Sequence, residues 1–417
     1  MTVTFDWRYR PAWLMRTGSV SDQAQVGAGA RPELPLRSVR GRTTILVLSV
    51  SAGAGHVRAA QALCAAAVDL PFDTVHIDVM DYVPRWFRRM YTEVYVRMVG
   101  QYPHVWGWLY RHMQRAQPSD RIEALRRAFE RTQTRALIKK IAALAPDAII
   151  CTHFLPAELL AHLPVSYRPS CPLWIQITDF DVHRIWIQPG VAGYLAGTDE
   201  VAFRLRAAGV AAAAIHVTGL PTMREFALPS DRRQCAASLG LDPSRQTVLV
   251  MGGGAGIGEL VGIAQRLLSI DPALQLIVLT GRNLRLLQEL APLAVANPSR
   301  LVVHGQTAQV ERFMACADLI VTKSGGLTSA ECLAMGLPMV INAPIPGQEE
   351  RNADYLVEQG VAMKAIDPVT VEYRVRLLLA DPDRLARMAV HARANGRPDA
   401  AAAVLKIVGA QFAQRTT

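Results

Sequence analysis

The stretch Thr43–His56 reads TTILVLSVSAGAGH, and an Ala-rich helical segment, residues 59–68, follows it. A continuous apolar run of strand length, a glycine turn and a helix form the opening of an α/β unit. Further strands are predicted at residues 74–78, 148–151 and 173–178, with helical stretches at 85–100 and 120–144. Near Thr218-Gly219-Leu220-Pro221 the pattern resets. A polar helical stretch, 230–239, leads into the run 247–251 (TVLVM) and a second cluster, Gly252-Gly253-Gly254-Ala255-Gly256. Strand patterns recur at 275–279, 301–303, 319–322 and 338–342. The chain is therefore expected to be α/β, with two halves, 43–220 and 221–417. The last helical segment is expected to pack back on the first half. Crossover helices make both sheets mostly parallel, and ligands then sit at the carboxyl ends of the strands. The two glycine loops should face a common cleft.

At 417 residues the chain exceeds what one core usually supports, which agrees with two domains. Its 51% hydrophobic and 19% charged residues exclude a disordered chain. No apolar run reaches the roughly 18–20 residues a bilayer crossing needs. With no apolar signal segment at the N-terminus, the chain is read as cytoplasmic. The six cysteines (Cys64, Cys151, Cys171, Cys235, Cys316, Cys332) lack Cys-x-x-Cys spacing and are read as reduced core thiols, with no zinc site.

The formal net charge is +10, and it is local: residues 1–42 carry +4 and residues 81–140 carry +8. Residues 1–42, rich in Gly, Ala, Arg, Pro and Ser without a sustained period, are read as a disordered arm. The second basic stretch is also aromatic, with nine of the 27 aromatic residues between Tyr82 and Tyr110, among them Trp86, Trp106 and Trp108. Arg88 and Arg89 lie between them. Trp and Tyr settle at headgroup depth while Arg meets anionic lipid, so the stretch suits an anionic membrane surface. A helix pair covering the core is the competing reading. Nucleic acid is not expected, because no nucleic-acid module accompanies the charge.

Neither glycine loop fits dinucleotide binding: Arg58 and Ile257 stand where the third glycine of G-x-G-x-x-G belongs, and no Gly-Lys-Ser/Thr follows either loop.

The residues Ser51–His56, Thr178-Asp179-Phe180 with His183, Trp186 and Pro189, and Val217–Pro221 resemble the monogalactosyldiacylglycerol synthases and processive diacylglycerol glucosyltransferases. These belong to glycosyltransferase family 28. The carboxyl half adds Lys323-Ser324-Gly325-Gly326-Leu327-Thr328, Glu331, Gly336-Leu337-Pro338 and Pro344–Glu350 with Asn352, the most specific part of the match. The likeness spans about residues 43 to 367. Ala54 and Ser324 depart from it, standing where the family usually has glycine and proline.

The resemblance implies a GT-B fold, two Rossmann-like domains facing a central cleft. It implies an inverting transfer of a hexose from UDP-glucose or UDP-galactose to diacylglycerol, giving a β-glycosyl diacylglycerol. The UDP-sugar is a substrate, and no cofactor or metal is implied. His56, at the end of the first loop, is the expected base, its ordinary pKa suiting neutral pH. Asp179 is expected to orient the imidazole or meet the acceptor. His183 and Trp186 would shape the acceptor mouth, with Gly53 and Gly55 in the acceptor loop. The diphosphate is expected at Gly325, Gly326, Leu327 and Thr328, on a strand-to-helix turn whose backbone N–H groups suit an anion. Glu331 would take the ribose hydroxyls; a capping box with Thr328 is the structural rival. Gln348 and Glu349 would hold the hexose, with Asn352 supporting the same site. Gly253 and Gly254 would line the donor side. Arg282 either reaches the diphosphate or stays in water. Asp179-Phe180-Asp181 resembles an Asp-x-Asp metal motif and is set aside as a chance match.

Two other functions compete: N-acetylglucosamine transfer from its UDP-sugar to a polyprenyl-linked acceptor, and a non-catalytic UDP-sugar sensor. A sensor would have no use for His56.

Overall fold

A computed structural model of the chain describes residues 42–51, 53–89, 135–252 and 259–413. The expectations for residues 1–41, for Gly253 and Gly254, for Trp106 and Trp108, and for most of the helical stretches 85–100 and 120–144 fall outside those residues.

The first sheet is built from β1 (Thr43–Ser49), β2 (Phe72–Asp78), β3 (Ala148–Cys151), β4 (Leu173–Gln176), β5 (Gly193–Ala196) and β6 (Ile215–Val217), in the order β2-β1-β3-β4-β5-β6. The second holds β7 (Thr247–Met251), β8 (Gln275–Leu279), β9 (Leu301–His304), β10 (Leu319–Thr322), β11 (Met339–Asn342) and β12 (Ala362–Ala365), in the order β12-β11-β10-β7-β8-β9. Every pairing in both is parallel. This is the expected pair of Rossmann-like domains in a GT-B arrangement. The strand order reverses between β1 and β3 in one sheet and between β7 and β10 in the other. Ligand crevices open at such switch points, so the loops after β1, β3 and β10 border the cleft.

Helices cover both faces of each sheet, which is why the central strands read as unbroken apolar runs. Ile45 to Leu48 and Val248 to Val250 are fully buried. Three short strands, β5, β6 and β12, were not predicted. Gly193 opens β5, and a Cβ there would lie 2.5 Å from the buried Trp174 ring. The glycine that reads as a turn in the sequence is the residue that lets the strand pass the indole.

Five helices matter below: α1 (Ala54–Ala66), α2 (Phe154–Ala161), α3 (Gly326–Met335), α4 (Gln348–Glu358) and α5 (Ala400–Ala413). Helix α1 begins five residues earlier than predicted, so His56 lies in its first turn and not in the loop before it. Helix α5 crosses back to the first domain, where Ala401, Val404, Leu405 and Val408 pack with Ile45, Ala60, Leu63 and Trp174. Those four positions share one helical face. Each buried aliphatic side chain of this size contributes roughly 1.5–3 kcal/mol, so the contact ties the carboxyl-terminal end to the first domain.

Candidate functional site

Across the cleft the first turns of α1 and α3 meet. A Cβ at Gly55 would lie 3.6 Å from Leu327 Cδ2, an ordinary contact. Leu327 is buried in the core cluster that runs from Ala59 and Phe180 of the first domain into the second. Closer still is Gly326: a Cβ there would run into the Thr178 carbonyl oxygen and sit 3.2 Å from Asp179 Oδ1.

His56 is fixed from β3 and from the loop after β4. Its Nδ1 lies 2.8 Å from the Thr152 carbonyl oxygen and 3.0 Å from Thr178 Oγ1, and Thr152 Oγ1 donates back to the His56 carbonyl at 2.9 Å. A carbonyl can only accept, so Nδ1 carries the ring proton and Nε2 keeps its lone pair. Burial lowers the imidazole pKa below 6.5, and the Asp179 charge and the Thr152 carbonyl oppose that shift. The ring is a neutral base with a defined tautomer. His153 stands edge-on to it, ring centroids 4.5 Å apart. His153 Nδ1 accepts from Leu155 N–H at 3.0 Å, capping α2, and burial, with His56 beside it, holds this second imidazole neutral.

The expected acceptor residues divide. Trp186 is buried, its ring centroid 6.3 Å from both His56 and His153, and His183 is buried with Nδ1 accepting from Ile185 N–H at 3.1 Å. Trp186 thus packs beside the His56 imidazole, and His183 caps the short turn that carries it. Gly53, exposed, precedes α1 in extended backbone. In the turn 85–89, Phe87 is 3% exposed and Trp86 50% exposed, with Arg85, Arg88 and Arg89 outward. Arg88 reaches Asp81 at 3.2 Å.

On the donor side, Gly325 caps α3 and leaves open space where a Cβ would be. Thr328 is the third residue of α3 and not its cap, so the capping-box alternative for Glu331 does not apply. Glu331 is buried, and desolvation pushes its pKa up to about 7; the charge of Arg58 on α1 pulls it back and Glu311 pushes it further. Gly347, at φ +101°, makes the turn that starts α4. Glu349 accepts from Ile345 N–H at 2.9 Å, its carboxyl raised by burial, and its carbonyl receives Ser324 Oγ at 2.6 Å. Arg282 is exposed on the turn after β8.

Gln348 and Asn352 reach across to the first domain. Gln348 Nε2 donates to Asp179 Oδ2 in a short hydrogen bond. Asn352 Nδ2 donates to Asp179 Oδ1 and to the Ser324 carbonyl, both at 3.0 Å, and its Oδ1 accepts from Phe180 N–H at 2.9 Å. Both amide hydrogens of Asn352 are spent, so it braces the site and has no donor left for a sugar. Asp179, 3% exposed, does not take up the imidazole N–H; Thr152 and Thr178 do that. Beside it the Phe180 and Tyr355 rings stack at 5.0 Å, and Asp181 pairs with Arg204 and Arg351, each at 3.2 Å. Thr152, His153, Thr178 and Arg351 were not foreseen; the position of Thr152 and His153 just past a switch-point strand was the available signal.

Among the described residues no cluster of three His, Cys, Asp or Glu side chains is placed to hold a metal ion, and no helix is long and apolar enough to cross a membrane. The six cysteines are free, and burial pushes the Cys151 and Cys316 thiols up, away from nucleophilic use.

Residues 56–222 match the family model for monogalactosyldiacylglycerol (MGDG) synthase, and residues 247–404 match the glycosyltransferase family 28 C-terminal domain. The processive diacylglycerol beta-glucosyltransferase of Bacillus cereus (strain AH187) is 31% identical over 274 residues, 66% of this chain and 69% of that one. The protein of the same name from Bacillus pumilus (strain SAFR-032) is 29% identical over 243 residues; there the match spans 58% of this chain and 63%, under two thirds, of the relative. Among solved structures, the S. aureus MnaA-UDP co-structure superposes with a TM-score of 0.59 at 13% identity, covering 89% of this chain and 97% of that one. Acinetobacter baumannii MurG gives 0.52 at 15% identity, covering 88% and 99%. At these identities the likeness is one of fold.

Proposed function

We propose, from the premise that the chain belongs to the monogalactosyldiacylglycerol synthase branch of glycosyltransferase family 28, that it moves a hexose from a UDP-sugar to a diacylglycerol hydroxyl at a membrane surface. His56 Nε2 takes the hydroxyl proton, the freed oxygen attacks the anomeric carbon, and the bond to UDP breaks with its electron pair on the diphosphate. One displacement from the opposite face inverts the centre and gives a β-glycosyl diacylglycerol.

The observation that carries this reading is the fixed tautomer of His56 in the turn that packs against α3. A base needs a lone pair held in place, and the Thr152 carbonyl supplies the restraint. The first N–H groups of α3, the open face of Gly325 and the Thr328 hydroxyl suit a diphosphate, and preorganised donors there stabilise the charge that develops on leaving UDP. No metal is assigned a role. Glu331 is suited to ribose hydroxyls and Gln348 and Glu349 to the hexose. The relatives' names support diacylglycerol as acceptor and glucose as one candidate sugar. Diacylglycerol stays in the bilayer, so the first domain must touch it. The outward Trp86, Arg88 and Arg89, anchored by Phe87, suit that contact.

The test is purified protein with vesicles holding diacylglycerol or a polyprenyl-linked acceptor, and UDP-glucose, UDP-galactose and UDP-N-acetylglucosamine in separate reactions, with products identified by mass and anomeric NMR. A β-hexosyl diacylglycerol supports the reading. Transfer only of N-acetylglucosamine to a polyprenyl-linked acceptor, or binding of UDP-sugar with no transfer to either lipid, overturns it.

A further inference from the structure

Gln348, the side chain that the proposed function gives to the hexose, is bonded to the first domain. Its amide lies on Asp179 Oδ2, and Asn352, four residues on and so on the same face of α4, holds Oδ1. The two partners are not equivalent. Asn352 is fully buried, with a second amide bond to Ser324 and its oxygen on Phe180 N–H. Gln348 is partly exposed, and among the described residues its amide makes one bond, to Asp179. Gln348 is the exchangeable partner of the carboxylate.

The Asp179 charge also acts on His56. The loop after β4 supplies Thr178, whose hydroxyl touches the imidazole, and Asp179 is the next residue. We infer that Asp179 is a positioning residue that couples donor occupancy to the base: a hexose that takes the Gln348 amide frees one carboxylate oxygen, and the released charge acts on His56. The inference rests on the reading of Gln348 as a hexose contact.

The physical chain is short. Burial raises the Asp179 carboxyl above its ordinary value, and the two side-chain hydrogen bonds, from Gln348 and Asn352, oppose that shift. Withdrawing one leaves the charge less satisfied, and that charge acts on the imidazole, whose protonation it favours. When His56 accepts the acceptor's proton, the imidazolium forms beside a carboxylate that has just lost a competing partner. The proton taken from the acceptor rests on Nε2. The base is strongest when the donor sugar is seated.

The surrounding charges leave this pair as the responsive one. Asp181 pushes Asp179 up but is itself paired with Arg204 and Arg351. Glu349 on α4 lies under the charge of Lys323. On the His56 side, His153 at the start of α2 is neutral, and Arg58 of α1 acts on Glu331.

The test follows the His56 titration in isotope-labelled full-length protein by NMR, alone, with UDP, and with UDP-glucose or UDP-galactose. UDP-hexose should move the His56 midpoint upward, while UDP, which has no hexose, should leave it in place. Gln348→Ala should raise the midpoint with no ligand present. Asp179→Asn should lower it, abolish the response to UDP-hexose and reduce kcat by about 10²-fold, the usual scale for a weakened general base. A midpoint that UDP and UDP-hexose move equally, or one that Gln348→Ala leaves unmoved, overturns the coupling. If calorimetry detects no UDP-sugar binding, the functional reading fails; the Gln348→Ala comparison without ligand still decides whether Gln348 restrains the carboxylate.

Discussion

Replacing Gly326 by Ala puts a methyl group between the two domains. The new Cβ would lie 3.0 Å from the Thr178 carbonyl carbon and 3.2 Å from Asp179 Oδ1, where ordinary contacts are 3.4–4 Å, and it would overlap the Thr178 carbonyl oxygen outright. That oxygen is backbone and cannot rotate aside, so relief comes from the domains parting by on the order of 1 Å. Misplacement of this size typically costs about 10²-fold in rate, because the acceptor oxygen and the donor carbon no longer meet at reacting distance. Overpacking of this kind costs about 1–3 kcal/mol, so the protein should still fold. Gly325→Ala is the control: its Cβ meets nothing within 4 Å and its backbone, at φ −62° and ψ 137°, suits alanine. It should leave melting unchanged and weaken only UDP binding. The assay is kcat at saturating donor, with melting by circular dichroism and the separation of spin labels on the two domains. Gly326→Ala with wild-type turnover, or with lost turnover and an unchanged separation, would refute the reasoning.

Other predictions follow from the same geometry. Because burial lowers the His56 pKa, the acid limb of the kcat/KM profile, which reports the free enzyme, should lie below pH 6.5; a limb at or above 6.5 would contradict the environment described. Glu331, raised to about 7 against 4.5, binds its proton more tightly in the folded chain. Its burial is therefore tolerated below pH 4.5, and stability is lost as pH rises from there through 7, in all by about 3 kcal/mol. Glu331→Gln should recover up to that amount at pH 8 and little at pH 5 in denaturant titrations, while weakening UDP binding. Arg88→Gln with Arg89→Gln removes two cations worth roughly 1 kcal/mol each near anionic lipid, so vesicle affinity should fall about 30-fold at low salt, read by sedimentation.

The parts of this architecture that were legible in the sequence are those whose cause is local. β1 and β7 are continuous apolar runs because both faces of each sheet are covered, and a run of that length ending in glycine states its own identity. The start of α1 was misjudged because Gly53 and Gly55 read as loop, whereas Gly55 lies inside the helix and faces Leu327. β5 (GYLA), β6 (IHV) and β12 (AMKA) are interrupted by Gly, His or Lys and lack the aliphatic run that marks equally short strands such as β10 (LIVT). The site divides the same way. The turn at Ser324–Thr328 and the Pro-Gly before Gln348 are punctuation that any reader of turns can find. The bond from His56 to Thr152, 96 positions apart, exists because β1 and β3 are neighbours in one sheet, and that from Asp179 to Asn352, 173 apart, because the two sheets bring their strand ends together. No local pattern marks Asn352 as a brace or His153 as the neighbour of the base.

The account stands or falls on His56. The decisive measurement is His56→Ala, with UDP-sugar affinity by calorimetry and hexose transfer to diacylglycerol vesicles followed on the same preparation. Unchanged donor affinity with transfer reduced by 10²-fold or more is the predicted result. Transfer at the wild-type rate would contradict the central claim and remove this imidazole as the base.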